Sequence, residues 1–231
     1  FSNSNINKWI ISKVGMKTCP YCNLNYTYSR AQTSSDSTKD NQIVEYAVAQ
    51  LDHFYSQSLF PMFSLCFYNL IPSCSACNRL KSDSAIELES PYYKDAFSDF
   101  KIKWESQINV GAYVESEKTL FKRIDLNQEN LKIVLSGNEN NIDIFKLDSA
   151  YQQHTDYAEE ILKKLYAYSD GSFYKLISAV GKNGDMTPES VMRFYLGNYI
   201  SDSEEDNQEV LMRRPLSKMT QEFYDHIVKK K

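Results

Sequence analysis

Two cysteine pairs stand out by their spacing: Cys19 and Cys22 in Cys-Pro-Tyr-Cys, and Cys74 and Cys77 in Cys-Ser-Ala-Cys. Two residues between paired thiolates let both sulfurs reach one ion, and zinc takes four such ligands in a tetrahedron. Uniting the pairs would close the long segment between them. That is a folding device, because the native state binds the metal and the unfolded chain scarcely does. A redox couple, a pair of disulfides or buried thiols are the competing uses of Cys-x-x-Cys. A single redox motif leaves the second pair unexplained, so the spacing predicts one structural Zn2+ on Cys19, Cys22, Cys74 and Cys77. Four thiolates leave no open position for a reacting water, so this zinc would not be catalytic. The fifth cysteine, Cys66, lies between Leu65 and Phe67 and is expected to be a small buried hydrophobe.

Between and beside the knuckles run Leu51-Asp52-His53-Phe54, Ser58-Leu59-Phe60-Pro61, Tyr68-Asn69-Leu70-Ile71-Pro72-Ser73-Cys74 and Cys77-Asn78-Arg79-Leu80-Lys81. Singly, an Asp-His pair reads as a surface pair or a helix cap, and an Asn-Leu carries nothing. In this order, over about residues 15–90, they strongly resemble the HNH endonuclease family, also called the ββα-metal or His-Me finger. Two features mark the bacterial form it is similar to: a pair of zinc knuckles and Asn in the third position (HNN). Residues 147–164 and 213–218 are also similar to stretches of bacterial HNH proteins, without adding chemistry.

The resemblance implies a metal-dependent endonuclease that hydrolyses DNA phosphodiester bonds, leaving 3′-hydroxyl and 5′-phosphate ends. Histidine can take a proton from an attacking water near neutral pH, and His53 would be that general base. A divalent cation stabilises the phosphorane-like transition state and the leaving oxygen. By resemblance, Asp52 and Asn78 would hold it, and their oxygen ligands suit Mg2+ or Mn2+. Asn69 would brace the loop between the strands and fix the His53 ring. Lys81, about one helical turn after Asn78, is expected to contact phosphate, whereas Arg79 would meet phosphate or simply be solvated. Double-stranded DNA is the implied partner. Bacterial defence against phage or foreign DNA, beside an ATPase or sensor protein, is the implied setting. Two alternatives stand beside this reading: a non-catalytic zinc module that binds nucleic acid or protein, and a ribonuclease toxin built on the same finger.

Those residues need elements to hold them. Ile6, Trp9, Ile10 and Val14 recur at helical spacing and predict a helix over residues 6–14. A knuckle at Cys19–Cys22 should precede a strand over residues 24–28 and a polar loop over 29–41. Residues 43–54 read as one strand delivering Asp52 and His53 near its end. Residues 62–68 read as a short helix or loop, and a helix should start at the second knuckle and run through Lys81. Beyond Pro91 the pattern predicts strands within 99–135 and helices over 149–167, 173–180 and 188–200, the last opened by Thr187-Pro188. The expected fold class is α+β: a ββα-metal finger core stapled by a four-cysteine zinc site, then a mainly α-helical C-terminal region. Residues 1–90 would form the nuclease domain and 91–231 an accessory domain that clamps DNA or docks a partner.

The 231 residues are 42% hydrophobic and 24% charged, ordinary for a globular chain. No apolar run approaches the roughly 20 residues of a membrane helix. The first residues lack a secretory pattern, so the expected location is cytoplasmic, with no membrane partner. A net charge of −4 disfavours a general nucleic-acid binder. The charge is uneven, however. Between Gln50 and Lys81 the only charged residues are Asp52, Arg79 and Lys81, whereas acidity gathers in 201–209 and basic residues follow Met212. Of the 17 Tyr and 12 Phe, most should be core and some could stack on bases. His154 and His226 fall outside the motif and read as surface or packing residues.

Overall fold

A computed structural model of the chain describes residues 5–33, 43–84, 87–92, 100–106, 131–169, 188–201 and 207–229. Helix and strand are mixed, with three two-stranded antiparallel sheets among the described residues. The chain divides into two compact units. One holds Phe1–Asp99 with Asn138–Phe145 and Met212–Pro215; the other holds Phe100–Gly137, Lys146–Leu211 and Leu216–Lys231.

The first unit opens with helix α1 (Asn5–Val14), which buries Ile10 and Ile11 and leaves Trp9 exposed. Gly15, at φ 69°, ends it in the left-handed region that glycine enters without penalty, its N–H reaching the Ile11 carbonyl. The chain then folds back on itself through the first knuckle. Cys19 N–H donates to the Asn25 carbonyl, Asn23 N–H to the Cys19 carbonyl, and Thr18 bridges Tyr26. Residues 24–28 are therefore the return leg of the knuckle rather than the expected strand. Strand β1 (Ser29–Thr33) occupies the start of the stretch read as loop, and residues 34–41 of that stretch lie outside the described residues. Its own composition is weakly strand-forming. Its antiparallel partner β2 (Ile43–Ala47), in the register Ser29↔Ala47 to Thr33↔Ile43, supplies the β-branched residues.

The strand expected over 43–54 is two strands. After a bend at Val48-Ala49 the chain changes partner, and β3 (Gln50–His53) pairs with β4 (Leu70–Ser73). Asp52 stands opposite Ile71, and His53 opposite Leu70. Two single 3-10 turns, Pro61–Phe63 and Phe67–Asn69, lie in the connection. Helix α2 (Ser75–Lys81) follows β4 directly, with Cys74 as its N-cap. Two distant segments complete this unit. Helix α3 (Glu139–Ile144) leads to Phe145, whose ring stacks on Tyr21 at 4.5 Å. Residues 212–215 accept hydrogen bonds from Thr18 and Asn23 at the Met212 and Arg214 carbonyls.

The second unit is built on β5 (Phe100–Ser106) paired with β6 (Leu131–Gly137). Phe100, Ile102, Leu131 and Ile133 are buried by the two-residue alternation of a half-buried sheet. The helix expected over 149–167 is divided into α4 (Leu147–Gln152) and α5 (Thr155–Ser169). At the break, the Gln152 carboxamide serves as an extra strand peptide: Oε1 accepts from Ile133 N–H and Nε2 donates to the Leu131 carbonyl. Ile161, Leu162 and Leu165 of α5 are fully buried. Helix α6 (Pro188–Leu196) opens on its proline and stops short of the expected end, at Gly197 with φ 74°. Helices α7 (Asn207–Leu211) and α8 (Ser217–Tyr224) complete the unit. The helix expected over 173–180 lies outside the described residues.

Candidate functional site

The two knuckles meet. The sulfurs of Cys19, Cys22, Cys74 and Cys77 all lie within 4.8 Å of one another, and Cys22 Sγ is 4.0 Å from Cys74 Sγ. A zinc tetrahedron with bonds of about 2.3 Å has edges of roughly 3.8 Å, so the cluster has the right scale. Donors converge on the sulfurs as they do on thiolates. Leu24 N–H points to Cys22 Sγ at 3.4 Å, while Cys77 N–H and Asn25 Nδ2 point to Cys74 Sγ at 3.5 and 3.6 Å. Without a cation the four groups cannot all ionise. Burial pushes the Cys19 thiol well up, hydrogen bonds from Cys19 and its neighbours hold Cys74 low, and sharing a proton with Cys19 and the other sulfurs pushes Cys77 up. Four buried cysteines so placed could hold a metal ion such as zinc. Cys66, expected inside, is exposed on the loop between β3 and β4. Both of its neighbours are exposed as well, so their apolar character marks surface here and not core.

Strand alternation separates Asp52 from His53. Gln50 and Asp52 turn toward α2, where Asn78 Nδ2 donates to Gln50 Oε1 at 2.9 Å. Asp52 is 3% exposed, and both of its oxygens are engaged. Tyr21 Oη donates to Oδ2 at 2.6 Å, and Lys81 Nζ donates to Oδ1 at 3.1 Å. The same ammonium reaches the His53 carbonyl at 2.6 Å. Burial pushes the Asp52 carboxyl up, outweighing the Lys81 charge and the Tyr21 hydroxyl, which pull it down. Burial, then the Asp52 charge, pushes the Tyr21 phenol up.

Lys81 was expected at a phosphate. Instead it is 1% exposed and its charge is spent on Asp52. It does share a helix face with Asn78, but that face is turned toward β3. Arg79 is exposed, its Nε on the Ser75 carbonyl. Tyr21 was not anticipated; the signal available was an aromatic residue inside the Cys-Pro-Tyr-Cys knuckle.

His53 turns toward the connecting loop and is half-buried, with Nε2 3.0 Å from the Ser64 carbonyl. A carbonyl only accepts, so this bond places hydrogen on Nε2 and leaves Nδ1 as the basic nitrogen of the neutral ring. Asn69 holds the loop. Its Oδ1 accepts from Tyr55 N–H at 2.6 Å, and its Nδ2 donates to the Tyr55 and Phe63 carbonyls at 3.1 and 3.0 Å. Phe63 immediately precedes Ser64, so Asn69 fixes the peptide segment that holds the His53 ring. Ser56 Oγ ties the loop's start to Asp83 at 2.8 Å, just past α2. Several aromatic residues of this loop, among them Tyr55, Phe63 and Tyr68, are exposed rather than core.

A hydrated Mg2+ or Mn2+ prefers an open cage of oxygens that lets it keep several waters. Asp52 is not such a ligand in this arrangement: it is enclosed, and an ammonium already neutralises it. The structure thus brings together Asp52 with Lys81 and Tyr21, Asn78 with Gln50, and His53 with the loop that Asn69 braces. His226 lies edge-on to Trp104 at 5.0 Å, in a packing role. Among the described residues the four cysteines form the one potential metal cluster of three or more His, Cys, Asp or Glu. No family model, curated protein or solved structure matches the chain.

Proposed function

We propose that this chain is an HNH-type endonuclease that hydrolyses DNA phosphodiester bonds, with a structural zinc on the four cysteines and His53 as general base. The observation that carries the reading is the His53 ring, held through Nε2 by the Ser64 carbonyl so that Nδ1 is the nitrogen left to accept a proton. Two further features support it: a β3–β4–α2 succession like the ββα finger, and an Asn69 that braces the His53 loop as the resemblance implies. In the step that follows, Nδ1 takes a proton from water, the water oxygen attacks phosphorus, and the bond to the 3′-oxygen breaks. That oxygen then takes a proton from solvent. Exposed aromatic residues beside His53 offer faces on which bases stack. Magnesium or manganese on Asp52 and Asn78 is the part of the resemblance that the enclosed carboxylate does not fit, and the proton transfer argued from His53 does not depend on it. Duplex DNA as substrate, a cytoplasmic setting and a role in bacterial defence beside an ATPase or sensor protein extend the same resemblance.

Plasmid nicking tests the reading. His53→Ala should lower the rate at least about 100-fold, the scale of a lost general base, while zinc content and circular dichroism stay as in the unmutated chain. Nicking at the original rate would sink the assignment. Parallel DNA and RNA substrates separate the deoxyribonuclease from a ribonuclease, and no cleavage of either favours the non-catalytic zinc module.

A further inference from the structure

We propose that Tyr21 and Lys81 are positioning residues: together they lock the Asp52 carboxylate and the His53 carbonyl, and so fix the end of β3 from which the His53 imidazole acts. The catalytic consequence rests on the nuclease reading above; the geometry does not.

A buried ammonium keeps its charge only where acceptors replace its water. Lys81, at 1% exposure, has two acceptors on adjacent residues of one strand, Asp52 Oδ1 and the His53 carbonyl oxygen. A simple ion pair would need only the first. The second bond grips the main chain of the residue whose ring must be aimed. Tyr21 closes the remaining Asp52 oxygen at 2.6 Å, so the carboxylate cannot rotate without losing one donor. Each donor is itself attached to the cysteine cluster. Tyr21 lies between Cys19 and Cys22, and Lys81 stands four residues after Cys77 on α2, on the same side of the helix. The positions of the sulfurs therefore set the position of Asp52. A buried ion pair kept only for stability can often be replaced by well-packed apolar residues at no loss. A clamp with two donors on one carboxylate and a bond to the next carbonyl has a geometric task that apolar packing would not perform.

Tyr21→Phe is the discriminating variant, because it keeps the ring and its stack on Phe145 and deletes one hydroxyl. In plasmid nicking by the full chain, kcat should fall about tenfold, as for loss of an outer hydrogen-bond partner, with KM and zinc stoichiometry unchanged and the thermal midpoint lowered by the Asp52 oxygen left without its donor. A second readout needs no activity. The chain has 3 histidines, so the imidazole 15N signals of His53 can be assigned against His154 and His226. Tyr21→Phe should shift or broaden the His53 signals and leave the other two in place. Lys81→Arg, which preserves the charge, should disturb His53 less than Lys81→Met. An unchanged kcat for Tyr21→Phe overturns the proposal, and so do unmoved His53 signals, whatever the rate. Should the unmutated chain cleave nothing, the nuclease reading fails by itself and the His53 spectrum still decides whether Tyr21 positions the ring.

Discussion

At the scale of single residues, Asn69 shows why its side-chain type matters. Its carboxamide offers an acceptor and two donors in one plane, and all three are used, on Tyr55 N–H, the Tyr55 carbonyl and the Phe63 carbonyl. Asn69→Ala should destabilise the protein by about 1–3 kcal/mol, the scale of losing a buried side chain's three hydrogen bonds to part-buried partners, measured by urea unfolding. Asn69→Asp should not rescue it, since a carboxylate would face two carbonyls; full stability in either variant would show that the loop is held by something else. Asp52 illustrates the opposing terms of a buried charge. Its carboxyl is raised because burial outweighs Lys81 and Tyr21. A carboxyl raised on folding contributes stability below its unfolded value and loses that contribution as pH rises through the folded one. Ionised Asp52 is thus a net cost at neutral pH, which its two donors reduce. Asp52, His53, Asn69 and Asn78 were legible as residue types at a meaningful spacing. The direction of each side chain was not. Adjacent residues of a strand face opposite ways, and which way becomes a question of what packs on each face.

At the scale of elements, the knuckles join segments that have little local reason to meet. Zinc would add four bonds to a unit whose α2 has seven residues and whose β3 and β4 have four each. Removing it should therefore melt this part of the chain first. Thiol titration gives a direct measure. Of the 5 cysteines, the exposed Cys66 should react at once in the native protein, and the four of the cluster only after chelation. Five fast thiols before chelation would show that no metal protects them. Acid should release the metal, because the ligands must be deprotonated to bind it. Local patterning placed α1 and α2 well, since both carry their own signals. It missed the division of residues 43–54 into β2 and β3 because the two strands differ in partner, not in composition. The break between α4 and α5, at residues 153 and 154, also escaped: the side chain of Gln152, the last residue of α4, is engaged by β6, a partner in another part of the chain.

At the scale of the whole molecule, two units each carry a core. The main segment of the first unit runs from Phe1 to Asp99. The returns of Asn138–Phe145 and Met212–Pro215 to that unit could not be read from patterning, because Phe145 and the Met212 carbonyl meet partners distant in sequence, Tyr21 and Thr18. Leu162, fully buried in α5, belongs to the second unit. Leu162→Ala should cost about 2–5 kcal/mol of stability by calorimetry or urea, while the pattern of one fast and four protected thiols persists in the native state. Loss of thiol protection in this variant would show that the cysteine cluster depends on the second core. No helix among the described residues is long and apolar enough to cross a membrane.

The order of the residue types was enough to bring the four cysteines into one cluster that could hold a metal ion and to expect a fold of mixed helix and strand. These are short-range facts, carried by spacing and by the chemistry of individual side chains. Tertiary structure decided which groups touch. It enclosed Asp52 between a tyrosine from one knuckle and a lysine from the helix of the other, turned Lys81 away from solvent, and exposed Cys66. Each of those outcomes depends on the free energy of burying a polar group, which is set by the partners that folding brings alongside and which no single stretch of sequence contains.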